Sequence, residues 1–184
     1  MLIPTLSVLI TQKICGDKLF SDVGVNFKIN KWWIVAWLLM PVVNILAMFS
    51  SALLPGVSLD PNSELVAKVI ADMSAKEVEI DGWGLLAITI FSSMFAGLTI
   101  NALFALGEEL AWRGFLPRVM SDWGFWKKSL IIGIIWGFWH MPLILMGHNY
   151  PDHPIAGVFM MVLLCVVMTP VFLYLREKSG STVV

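Results

Sequence analysis

Charge is scarce in this chain. Only 14% of its residues are Asp, Glu, Lys or Arg, against about 25% in a soluble domain. With 58% of residues hydrophobic, a chain of this length has too little interior to hide its apolar surface, which excludes an ordinary soluble fold. Lipid must be the solvent for part of it. Cysteine is scarce too. Cys15 and Cys165 are far apart, so there is no disulfide framework and no thiolate spacing for a metal. Cys165 lies inside an apolar run and reads as a packing residue. The sequence has no His-Glu-x-x-His pattern, no internal repeat and no low-complexity tract, so a single domain over 1–184 is the simplest organisation. A net charge of -1 says little, because membrane proteins partition their charges by side; no nucleic acid is expected as a partner. Met1–Ile10 is apolar but lacks a basic start and a small-residue cleavage site, which argues against a signal peptide. It reads as the end of a helix.

What the chain does have is four apolar runs approaching the roughly 20 residues that cross a bilayer: Trp32–Leu54, Trp83–Leu106, Leu130–Met146 and Ile155–Leu175. Tryptophans 32, 33, 83, 123 and 126 stand at run ends, where interfacial aromatics belong. The charges between the runs sort by side. Lys13, Lys18, Lys28 and Lys31 precede the first run. Asp60, Glu64, Asp72, Glu77, Glu79 and Asp81 dominate the next loop. Arg113, Arg118, Lys127 and Lys128 follow the second run, Asp152 alone follows the third, and Arg176 and Lys178 follow the fourth. Basic and non-basic connections alternate, as the positive-inside rule requires for four spans. The expectation is an all-α polytopic transmembrane bundle with about four spans and both termini cytoplasmic. A short N-terminal apolar segment and a possible surface helix at Ser63–Val78 complete it. The bilayer is its environment.

Two constellations carry candidate chemistry. The second run ends in Gly107-Glu108-Glu109-Leu110-Ala111-Trp112-Arg113-Gly114-Phe115-Leu116-Pro117. On a helix Glu109 and Arg113 are four apart with the acid first, the favourable order for pairing. Glu108 points about 100° away, towards Asn101, Trp112 and Phe115, and is left as the candidate general base. The plain alternative is that both acids sit in headgroup water. The third run contains Gly133-x-x-x-Gly137 followed by His140 and Pro142. The glycines make a close-packing face, and Trp136 and His140 share it. A histidine there is a functional candidate, or a buried group satisfied by one backbone carbonyl. Pro142 frees a carbonyl and can kink the helix. His148 and His153 lie in the loop beyond and are a weak basis for a metal cluster. Asn44 and Asn101 read as interhelical hydrogen-bond groups.

At these residues the sequence resembles the CPBP family of membrane peptidases, the CAAX prenyl endopeptidases and bacteriocin-processing Abi proteins. Its Glu-Glu-x-x-x-Arg motif is matched by Glu108, Glu109 and Arg113. Its Phe-x-x-x-His motif is matched with Trp136 in the place of Phe and with His140 retained. The resemblance is good from Trp83 to Val184. It implies an intramembrane endopeptidase with a water activated by Glu108, a water-orienting His140, and Glu109, Arg113 and Trp136 in support. It implies a peptide, prenylated, leader-type or membrane-protein substrate. No cofactor is expected, with zinc as the alternative. The family's third motif, His-x-x-x-Asn or Asp, is not reached before Val184. A fragment or shortened homologue is therefore the expectation, with a further span carrying that pair from roughly 10 residues on. The rival expectations are a catalytically inactive membrane binding or immunity module and a small proton-coupled transporter.

Overall fold

The computed structural model describes residues 2–21, 23–60 and 81–183. The surface helix expected at Ser63–Val78 lies outside the described residues. In chain order the elements are α1 (Ile3–Cys15), α2 (Lys31–Ser51), α3 (Gly82–Leu98), α4 (Ile100–Glu109), a π-helical stretch (Leu110–Phe115), α5 (Leu116–Val119), α6 (Phe125–Trp139), α7 (Met141–Leu145) and α8 (Pro154–Ser179). No strand occurs among the described residues. The fold is all-α and polytopic. Lys31–Ser51, Phe125–Leu145 and Pro154–Ser179 are each long and apolar enough to cross a membrane. Residues 82–119 make a fourth span if their broken pair of helices counts as one.

Two of the expected spans are interrupted. The second breaks at Thr99, whose backbone leaves the helical region. The Thr99 hydroxyl donates to the carbonyls of Phe95 and Ala96, an alternative partner for the end of a helix already weakened by Gly97. The third is interrupted at His140, where Pro142 has no N–H for the carbonyl four residues back.

The chain forms two compact units. One is Ile34–Ala102. Within it the Trp37 indole donates to the Met94 carbonyl at 3.2 Å, and no residue of α2 or α3 is buried, which leaves their apolar side chains for lipid. Asn44 donates to the Met40 carbonyl of its own helix. The interhelical bond expected for Asn44 is therefore replaced by a local one, the usual resort of a short amide when no partner helix supplies an acceptor.

The other unit holds the residues up to Trp33 and those from Leu103 onward. Its main contact is α6 against α8, made possible by glycine. A Cβ on Gly133 would stand 2.7 Å from the Val166 Cα, and one on Gly137 2.5 Å from the Val162 Cα. The expected close-packing face is thus an actual helix–helix contact. The first helix packs on the π stretch: Val8 shares a core with Leu110, Ala111, Trp112, Ile132 and Leu173, and the Thr5 hydroxyl donates to the Gly107 carbonyl. A clasp joins the loop after α1 to the end of α8. The Thr182 N–H donates to the Gly24 carbonyl at 2.9 Å, its hydroxyl to the Val23 carbonyl at 2.6 Å, and the Asn30 amide to the Ser179 carbonyl at 2.8 Å. The Arg118–Asp17 pair (2.9 Å) and the Lys128–Glu177 pair (3.0 Å) lie in the same unit. The loop after α1, α5, the start of α6 and the end of α8 therefore meet at one end of this unit, which carries Arg118, Lys128 and Arg176.

Candidate active site

The paired acids close α4, and the chain then widens into the π stretch. Pro117 supplies the local reason: it has no N–H to complete an α-helical bond to the Arg113 carbonyl. The Leu116 N–H reaches back five residues to the Ala111 carbonyl instead. Gly114, inside the stretch, is pressed against the loop after α1, and a Cβ there would lie 2.6 Å from the Val23 carbonyl oxygen. Such π segments are rare and recur at functional sites.

Arg113 is the centre of the arrangement. It is 2% exposed, and its Nη1 donates to the Glu109 Oε1 at 3.0 Å. Its guanidinium carbon lies 4.1 Å from the centroid of Trp136 on α6 and 4.8 Å from that of Phe172 on α8. A buried cation is costly unless it is compensated. Here one carboxylate and two ring faces do so, the indole being the strongest cation–π partner, worth about 2 kcal/mol where water is excluded. Its Nε and Nη2 have no hydrogen-bond partner among the described residues.

From Trp136 the contacts continue to His140, with ring centroids 5.7 Å apart. The His140 Nδ1 stands 2.8 Å from the Trp136 carbonyl oxygen. A carbonyl only accepts, so Nδ1 carries the hydrogen in that contact, and in the neutral imidazole Nε2 then presents its lone pair. The backbone partner foreseen for a merely structural histidine is thus present. It occupies one ring nitrogen and leaves the other.

Four of the residues singled out from sequence, Glu109, Arg113, Trp136 and His140, therefore form one chain of contacts. Glu108, one residue before, is partly buried and close enough to act electrostatically on Arg113 and on Cys165 of α8. Trp112, which sequence placed beside Glu108, meets Trp139 with ring centroids 6.3 Å apart and planes tilted by 56°. His148 and His153 lie in the α7–α8 connection, where their backbones serve the turn and the start of α8. Among the described residues no three His, Cys, Asp or Glu side chains stand together as a metal-ligand set. Phe172, Thr5 and Gly24 were not foreseen. Phe172 carries no motif. Thr5 and Gly24 belong to a part of the chain without one, and only the φ of +75° at Gly24 marks it in the fold.

No curated protein and no solved structure matches the chain. Residues 82–184 match the family described as Rce1-like, type II CAAX prenyl endopeptidase. The match takes in both the Glu108–Arg113 turn and the Trp136–His140 turn that Arg113 ties together, and it extends over more than half of the sequence. The chain is accordingly an integral membrane protein of the Rce1-like family of CAAX-type intramembrane proteases.

Proposed function

We propose that this chain is an intramembrane endopeptidase that hydrolyses a peptide bond with a water activated by Glu108. The Glu108 carboxylate takes a proton from water as the oxygen attacks the scissile carbonyl. The same proton then passes to the leaving amine as the tetrahedral intermediate collapses, so the base returns to its starting state. The His140 Nε2 accepts a hydrogen bond from that water and fixes its direction of attack. Glu109 and Arg113 do not exchange protons in this scheme; they lock the first motif to Trp136 and so to the helix bearing His140. The observation that carries the proposal is the buried Arg113, paired with Glu109 and stacked on Trp136, because it makes two motifs distant in sequence into one site. No step is routed through a metal: a catalytic zinc needs three protein ligands brought together, and among the described residues the two carboxylates and the imidazole do not form such a group. The substrate class proposed is a prenylated or leader-type peptide presented at the membrane, and the basic end of the protein faces the cytoplasm.

The test is cleavage of a farnesylated fluorogenic peptide with a CAAX ending by protein purified from its own gene. Glu108→Gln keeps the size and removes the base, so turnover should fall by about 10²–10⁴-fold at an unchanged thermal midpoint. Full activity in Glu108→Gln refutes the assignment. Unimpaired peptide binding by a wild type that never cleaves would favour the binding-module alternative.

A further inference from the structure

At the basic end of the α6–α8 unit, Pro117, Arg118, Lys128, Leu173, Arg176 and Glu177 line a pocket of about 240 Å³. Its three cations come from three elements: Arg118 from α5, Lys128 from α6 and Arg176 from α8. Arg118 is paired with Asp17 and Lys128 with Glu177. Both are partly exposed pairs of the kind that contribute little. Arg176 differs. Its Nε is buried and has no hydrogen-bond partner among the described residues, although an arginine stays charged at any physiological pH. On its far side its Nη2 stands where a Cβ on Gly24 would be, at 2.6 Å. A buried cationic donor without an acceptor is expensive, and only one carboxylate, that of Glu177, lines the pocket with the three cations.

The position of the pocket selects the anion. Lys128 stands at the start of one apolar span, and Arg176 and Glu177 stand at the end of another. The pocket therefore lies at the depth of lipid headgroups, where basic pockets between spans take up anionic lipid. We propose that this pocket binds the phosphodiester headgroup of an anionic phospholipid through Arg118, Lys128 and Arg176. The bound phosphate would bridge α5, which begins three residues after Arg113, to α6 and α8. This site is separate from peptide-bond cleavage and does not depend on it.

The experiment measures lipid binding directly. Delipidated protein in a neutral detergent is titrated with phosphatidylglycerol, phosphatidylcholine or inorganic phosphate, with bound lipid counted by native mass spectrometry and stability followed by thermal unfolding. Phosphatidylglycerol should bind and raise the midpoint, while phosphatidylcholine and inorganic phosphate should not. Arg176→Gln and Lys128→Gln should each weaken phosphatidylglycerol binding about fivefold, the factor corresponding to ~1 kcal/mol per cation. Lys127→Gln, whose side chain lies over Trp123 outside the pocket, should have no effect. If Arg176→Gln fails to fold, Lys128→Gln decides. Equal binding of the two lipids, inorganic phosphate matching phosphatidylglycerol, or an equal loss in Lys127→Gln would each overturn the proposal.

Discussion

Replacing Gly137 with alanine puts a methyl group where α8 already is. The new Cβ would lie 2.5 Å from the Val162 Cα, 3.0 Å from its Cγ2 and 3.1 Å from its Cβ, whereas ordinary contact begins at 3.4 Å. The nearest of these atoms is backbone and cannot rotate away. The two helices must therefore part by roughly 1 Å, which loosens Gly133 against Val166 as well and forfeits dispersion along the whole contact. Overpacking of this kind costs about 1–3 kcal/mol. Against it stands the better helix propensity of alanine, about 1 kcal/mol. Because the 2.5 Å clash is with backbone that cannot move aside, the upper part of that range, about 2–3 kcal/mol, applies, and the net is about 1–2 kcal/mol of destabilisation, a fall of roughly 2–8 °C in thermal midpoint for a chain of this size. Activity should suffer more, because Trp136 on α6 and His140 at its C-terminal cap move with that helix while Phe172 rides on α8, and a misplacement of about 1 Å can cost about 10²-fold in rate. The assay is thermal unfolding in detergent beside turnover of the farnesylated peptide. Gly97→Ala is the control, since a Cβ there meets nothing within 4 Å, and its midpoint should stay level or rise. A Gly137→Ala protein as stable as wild type, or a Gly97→Ala protein that falls equally, would refute the reasoning.

The two acids should not be equivalent. Whereas Glu108→Gln should stay folded, Glu109→Gln and Arg113→Ala each strand a partner and should lower stability by about 3–5 kcal/mol if the site is dry; equal and mild effects in circular-dichroism melts would point to a solvated loop. In a Cys15→Ser background, cysteine at Asp152 should react with an impermeant maleimide in intact cells and cysteine at Lys127 only after permeabilisation, and the reverse pattern would invert the topology. Chelation should leave cleavage intact; stoichiometric zinc in purified protein that disappears in His140→Ala would replace the metal-free scheme.

The helices and the motif positions were legible because each is a local signal. Apolar runs mark spans, charge alternation marks the basic end, and the spacing of Glu109 and Arg113 marks a pair on one face. The glycine face at 133 and 137 was legible for the same reason. The breaks were harder. Pro142 announced the interruption at His140, but Thr99 resembles any threonine in an apolar run until its hydroxyl is seen to bond the preceding turn. The partners of Arg113 across the fold were half visible. Trp136 belongs to a recognisable turn, while Phe172 is one aromatic among many, and nothing in sequence distinguishes it from a side chain facing lipid. The clasp of Val23 and Gly24 with Thr182 joins residues about 160 positions apart through backbone carbonyls, and backbone partners leave no trace in residue type.

The widened turn at Leu110–Phe115 makes this stretch more sensitive to length than to composition. A π segment holds one residue more than the α-helix would over the same path. Deleting one residue between Leu110 and Trp112 would let the backbone revert to α-helix without breaking the chain, so a frame-preserving codon deletion here looks innocuous in the gene. The helices on either side would keep their bearings, since the path itself is unchanged. The arginine, now three residues after Glu109 instead of four, would stay on the same face as its partner. What would be lost is the widening, and with it the five-residue bond from the Leu116 N–H to the Ala111 carbonyl and the seating of Gly114 against Val23. Substitutions in this stretch can be absorbed by repacking, whereas a change in its residue count would remove the widened turn without unfolding either helix.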